Sequence, residues 1–156
     1  VRAGPRARAA PPVARPQVGP VPRRDDLLAA ADMVVVTAPY TPQARGMLSA
    51  AQFAIMKPDA GLIVVSRGGL VDHDALVAAL QDDRQGPAYA GLDATPIEPL
   101  PADSPLWGLP NCLITPHSSG HSFRKERRAV EILRENARRF AQGQPLINLV
   151  DKTKGY

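Results

Sequence analysis

The sequence predicts an α/β fold built on a doubly wound parallel sheet, and two observations predict it. Short apolar runs alternate with amphipathic segments along the chain, as strands alternate with helices in such sheets. The first two runs, MVVVT and GLIVV, are apolar almost throughout instead of at every second position. That continuity is the mark of strands covered on both faces.

The elements follow in order from Asp25. DDLLAAAD reads as a short capped helix. MVVVTAP is a β-branched run that stops at Pro39, a strand. SAAQFAIM opens on Ser49 with Gln52 three residues later, a capping-box helix start. GLIVVS is the second strand. DHDALVAALQDD is a helix with Leu76, Val77 and Leu80 on one face. AYAGLD and CLITP are the third and fourth strands. SFRKERRAVEILRENARRFAQG is a long helix. Its apolar positions Val130, Leu133, Ala137 and Phe140 are spaced three, four and three, and Gly143 ends it.

The segment before Asp25 is different. Residues 1–24 hold six arginines, six prolines and no acid. The prolines forbid regular helix or strand, so the segment reads as an extended loop. They also spoil the amphipathic helix of a targeting peptide. No aromatic interleaves with the arginines, which argues against a nucleic-acid surface. The net charge of +4 belongs to this segment alone: the remaining 132 residues carry 13 basic and 15 acidic groups.

Composition narrows the class further. A length of 156 residues suits one domain, and 44% hydrophobic with 22% charged residues suits a soluble globular protein. No apolar run approaches the roughly 20 residues of a membrane span. The single cysteine, Cys112, excludes an intrachain disulfide and fits a reducing, cytoplasmic setting.

In open parallel sheets, ligands bind outside the carboxyl ends of the strands. Ala38 and Pro39 follow the first strand, and Val65, Ser66, Arg67, Gly68 and Gly69 end or follow the second. Asp93 ends the third, with Glu98 five residues on, and Pro116, His117, Ser118, Ser119 and Gly120 follow the fourth. Taken singly, each has an ordinary reading. Arg67 could cap a helix, Asp93 a loop, Glu98 could be a solvated carboxylate, and His117 could bond its own turn. Together they form a coherent set. An arginine fork matches a carboxylate, and a histidine moves a proton near neutral pH. A neighbouring carboxylate orients that imidazole, and glycines let backbone approach a ligand. The set suits reduction of a 2-oxo acid by hydride from a nicotinamide. His73 and His121 read as structural or surface residues, and no metal site is expected.

The blocks VVSRGGLVDHDALVAAL and AGLDATPIEPLPADSPLWGLPNCLITPH, with MVVVTAPYTPQARGML and NLVDKTKGY, resemble the nucleotide-binding domain of the D-isomer-specific 2-hydroxyacid dehydrogenases. That family includes phosphoglycerate dehydrogenase and glyoxylate/hydroxypyruvate reductase. The resemblance covers roughly residues 25–156. It implies catalytic roles for Arg67 (substrate carboxylate), Glu98 (orienting acid) and His117 (acid/base). It implies contacts to NAD or NADP from Ala38, Pro39, Val65, Ser66, Arg67, Asp93, His117, Ser118, Ser119 and Gly120. It also implies a small 2-oxo or 2-hydroxy acid as substrate, no nucleic-acid or membrane partner, and a homodimer for full-length relatives.

Two departures are local. Thr95 stands where the family has a longer residue, and Ser-Ser-Gly follows the histidine where the family has Gly or Ala-Gly. One departure is large: the chain has no Gly-x-Gly-x-x-Gly loop for the pyrophosphate. The resemblance therefore implies the second half of a Rossmann-like sheet, lacking the first βαβ unit and most of the substrate domain. Residues 25–156 would be a partial NAD(P)-binding domain with a returning C-terminal helix, and MVVVT would become an edge strand. On the same alignment, Arg2 falls where NADP-preferring members hold a basic residue. The expectation is a truncated dehydrogenase chain. The alternatives are an inactive fragment without cofactor-binding competence of its own, and a basic binding module resting on the N-terminal segment.

Overall fold

A computed structural model describes residues 24–153. Residues 1–23, with Arg2 and nearly all of the expected extended loop, lie outside the described residues, as do residues 154–156. The elements run α1 (Arg24–Ala30), β1 (Met33–Val36), α2 (Ala50–Ala54), β2 (Gly61–Val64), α3 (His73–Gln81), β3 (Tyr89–Leu92), β4 (Cys112–Ile114) and α4 (Lys125–Ala141). Short 3-10 turns at Gly68–Leu70 and Pro105–Gly108 were not foreseen. The extended segment was expected to reach Arg24, but Arg24 is the first residue of α1. Its guanidinium bonds Asp25 at 2.7 Å and donates to the Met47 carbonyl at 3.0 Å, which ties it to the body of the fold.

Local chemistry explains the helix ends. Gln52 Oε1 accepts from the Ser49 amide at 3.3 Å and the Ser49 hydroxyl at 2.7 Å, so the glutamine half of the capping box is made. The Asp72 carboxylate accepts from the Ala75 amide at 3.0 Å and caps α3. Gly143, at φ +64°, supplies the left-handed turn that ends α4.

The four strands form one parallel sheet in the order β1-β2-β3-β4. Register places Val34, Leu62 and Ala90 side by side, and Val36, Val64 and Leu92 two residues on. These residues share one core with Leu28 of α1, Phe53 of α2, and Leu76 and Leu80 of α3. Because successive side chains alternate across a strand, Met33, Val35, Tyr89 and Leu113 point the other way, and all four are exposed.

The apolar runs by themselves read as a sheet covered on both sides, but the expected lack of the first βαβ unit leaves one face without its helices, and that face is open among the described residues. Helices α1 to α3 each send a buried residue into the single core, and no described helix covers the second face. The α4 stripe has the predicted spacing, yet no α4 residue is buried, and Val130, Leu133 and Phe140 stand exposed. An apolar sequence records what a face can bury, not whether a layer lies over it. Among the described residues no helix is long and apolar enough to cross a membrane.

Candidate active site

Parallel pairing brings the carboxyl ends of all four strands to one edge. Arg67 follows β2, Asp93 and Glu98 follow β3, and His117 follows β4. Three adjacent strands thus deliver four chemistry-bearing side chains to one place.

Arg67, Glu98 and His117 meet there. His117 Nδ1 lies 2.9 Å from Glu98 Oε2 and 3.0 Å from Oε1. His117 Nε2 lies 3.4 Å from Arg67 Nη1. Arginine only donates, so one tautomer of the neutral ring satisfies both neighbours: N–H at Nδ1 toward Glu98, lone pair at Nε2 toward Arg67. Nη1 also donates to the Ser66 carbonyl at 2.7 Å, which pins the guanidinium. Arg67 Nε and Nη2 have no hydrogen-bond partner among the described residues.

Glu98 is itself held. The Thr95 amide donates to its Oε1 at 3.0 Å, and the Thr95 hydroxyl donates to the Ile97 carbonyl at 2.8 Å. The hydrogen bond from His117, then the Thr95 amide and the charges of His117 and Arg67, hold the Glu98 carboxyl below the usual carboxylate range against partial desolvation.

Asp93 is buried and faces the loop after β4. It accepts from the Thr115 hydroxyl at 2.5 Å, the Ser118 amide at 2.9 Å and the Ser119 amide at 2.8 Å. The Ser119 and Thr115 hydroxyls, in that order, together with these amides hold its carboxyl far below the ordinary range. Sequence reasoning missed Thr115. Its place two residues before His117, directly after the strand beside the one that Asp93 follows, was the available signal.

A Cβ on Gly68 would collide with the backbone of Thr95 and Pro96, and one on Gly69 would sit 2.7 Å from the Tyr40 ring. Both close approaches are to protein, and both glycines also line a cleft beside Arg67. Gly68 thereby presses the arginine turn against the turn that carries Glu98.

The remaining candidates are more dispersed. Ala38 and Pro39 stand on the same edge but at β1, and no hydrogen bond joins them to the trio. Ser119 Oγ donates to the Val65 carbonyl at 3.3 Å and so stitches the histidine loop to the β2 tip. Ser66 Oγ is buried and has no partner among the described residues. Gly120 is exposed and open. A cavity of about 680 Å³ lies on the Glu98 side of the imidazole, walled by Pro99, Leu100, Trp107 and Ile114. A cleft of about 300 Å³ lies on the Arg67 side, between Tyr40, Arg67, Gly69, Pro96 and Glu98.

The sequence and the fold have counterparts among known proteins. The family model for the D-isomer specific 2-hydroxyacid dehydrogenase, NAD binding domain, matches residues 6–119. A hydroxypyruvate reductase of Blautia hydrogenotrophica is 35% identical over 128 residues, which are 82% of this chain and 39% of that protein. A glyoxylate/hydroxypyruvate reductase B of Citrobacter koseri is 48% identical over 103 residues, 64% of this chain and 31% of that protein. The crystal structure of a D-isomer specific 2-hydroxyacid dehydrogenase from Xanthobacter autotrophicus Py2, in complex with NADPH and MES, superposes with a TM-score of 0.79 at 39% identity, covering 87% of this chain and 55% of that one. The chain thus spans 39% and 31% of the length of the two curated relatives.

Proposed function

Since this chain belongs to the D-isomer specific 2-hydroxyacid dehydrogenase family, we propose that it forms the reacting half of an NAD- or NADP-dependent enzyme that interconverts a small 2-oxo acid and its 2-hydroxy acid. The observation that carries the reading is the imidazole of His117 set between Glu98 and Arg67. Relatives named as glyoxylate/hydroxypyruvate reductases make those two acids the first substrates to try.

The nicotinamide end of the cofactor fits this edge. Ser66 Oγ is a buried polar atom without a partner, a state that buried hydroxyls rarely keep. Ser66 stands between Val65 and Arg67 at the β2 tip, where the Ser119 hydroxyl of the histidine loop reaches the Val65 carbonyl. The pyrophosphate end has no counterpart, for the sequence holds no Gly-x-Gly-x-x-Gly. A bound nicotinamide supplies or takes up the hydride at C2. Arg67 has Nε and Nη2 free for the substrate carboxylate. In reduction, protonated His117 delivers its proton from Nε2 to the 2-oxygen, and in oxidation the neutral ring takes it back. Glu98 keeps the ring oriented through Nδ1 and stabilises its cationic form.

The chain's second proposed property follows from the missing loop: alone it binds cofactor weakly. A few charge-assisted hydrogen bonds, each about 1.5–3 kcal/mol, are absent, and every 1.4 kcal/mol is about tenfold in affinity. Isothermal titration of residues 1–156 with NADPH and NADH should show no micromolar binding. The reaction is tested by grafting residues 24–153 into the matching segment of the Citrobacter koseri relative and following NADPH oxidation with hydroxypyruvate. Turnover is expected, and Arg67→Lys should reduce kcat/KM by about 10- to 100-fold, the loss of one bidentate charged contact. An inactive graft that still binds NADPH would count against the reaction.

A further inference from the structure

His117 is one of two non-glycine residues with positive φ among those described, at +52°. That region is unfavourable for a side chain, although histidine enters it more readily than most residues. Something must hold the loop there. Its own amide turns back to the Thr115 carbonyl at 3.0 Å, which leaves the next two amides to point elsewhere. Both point at Asp93: Ser118 N at 2.9 Å to Oδ1 and Ser119 N at 2.8 Å to Oδ2. Successive amides converging on one anion are the arrangement of a backbone anion nest, here filled by the protein's own carboxylate.

The Ser119 hydroxyl donates to the Val65 carbonyl at 3.3 Å and so binds the loop to a neighbouring strand. Thr115 closes the other flank of the carboxylate at 2.5 Å.

We infer that Asp93 is a positioning residue that occupies the Ser118–Ser119 amide nest and so locks His117 in the left-handed conformation that aims Nδ1 at Glu98 and Nε2 at Arg67. The charged groups around the ring are then three. Glu98 and Arg67 touch it, and Asp93 acts through the backbone without touching it. The inference concerns the posture of the histidine and does not depend on the reaction proposed above.

The experiment uses the 156-residue chain and two readouts mapped by mass spectrometry. One is hydrogen exchange of the peptide spanning Thr115 to Ser122. The other is the pH profile of His117 carbethoxylation. Asp93→Asn keeps the size but turns one acceptor into a donor facing an amide. Exchange of Ser118 and Ser119 should accelerate about tenfold or more, equivalent to about 1.4 kcal/mol. The carbethoxylation profile should change as the ring leaves Glu98. Thr115→Val removes one bond to the same carboxylate and should give a smaller change in both readouts; it decides the matter if Asp93→Asn fails to fold. Unchanged exchange and an unchanged profile would overturn the clamp. So would a lower melting temperature with the profile unmoved, because Asp93 would then be stabilising the fold without aiming the histidine. A graft inactive on hydroxypyruvate, with the clamp signature intact, would count against the reaction alone.

Discussion

His117 Nδ1 rests 2.9 Å from Glu98 Oε2, across 19 residues of chain. The pair is more than a third exposed on each side, so its value is orientation more than stability. Glu98→Gln keeps an acceptor oxygen but not the charge that supports an imidazolium. In the active graft it should lower kcat by about 10- to 100-fold, at the low end of what positioned acid–base groups contribute. KM should change little, because the Glu98 carboxylate is engaged by the His117 ring and the Thr95 amide and makes no hydrogen bond to Arg67. Steady-state kinetics decide it: a rise in KM at constant kcat would assign Glu98 to substrate binding instead.

The same pair has a pH signature. Glu98 titrates lower in the folded chain than when unfolded, chiefly through His117. A depressed carboxyl stabilises above its unfolded value and loses that contribution as pH falls through the folded one. Wild-type stability should therefore fall below about pH 4.5. The slope should be shallower in His117→Ala, which removes the largest cause of the shift. Urea midpoints from pH 6 to 3 test this, and parallel curves would refute it.

Helix α4 holds a stronger case. Glu135 accepts from Arg138 at 2.7 and 3.0 Å and from Arg139 at 2.7 Å, and these bonds carry its carboxyl down to about 2. The sign is the same, so the cluster should persist at pH 4 and dissolve toward pH 2. Circular dichroism at 222 nm should show helix loss over that range. Glu135→Gln should show reduced helicity at pH 7, by an amount set by a few i,i+3 and i,i+4 pairs of about 0.2–0.5 kcal/mol each.

Gly68→Ala should destabilise the chain sharply. The new Cβ would meet the Thr95–Pro96 backbone, which cannot swing aside as a side chain can. Overpacking of this kind costs roughly 1–3 kcal/mol or more. Gly108→Ala is the control, since its Cβ would enter open space. Thermal melts of the two variants should differ by several degrees, and equal melts would show that the arginine turn is not pressed against the glutamate turn.

The uncovered sheet face and the β1 edge should make the 156-residue chain self-associate. Val35 is 54% exposed on the outermost strand, and unpaired apolar edges template further pairing. Val35→Lys should cut light scattering at equal concentration while leaving the melt within a few degrees. A monodisperse wild-type chain would sink the idea and show the half-covered sheet to be self-sufficient.

Much of this molecule was determined by local sequence. Ser49 with Gln52, Asp72 before α3, and Gly143 after α4 set helix limits through bonds spanning four residues or fewer, so they can be read without the fold. The β-branched runs gave the strands. Parallel pairing then sends every strand end to one edge, which is why Arg67, Asp93, Glu98 and His117 could be placed together before any coordinates. Tertiary structure alone decided how they face each other. The partners of Asp93 lie 22 to 26 residues away, and Gly68 meets Thr95 across 27 positions. Neither contact has a local periodicity to announce it. The open face of the sheet leaves no mark in Met33 and Val35 themselves, which are apolar whether or not a layer covers them; it was implied only by the resemblance to a longer fold whose first βαβ unit is lacking here. Periodicity depends on the backbone's own repeat, whereas coverage and loop contacts depend on which distant segments the register brings near.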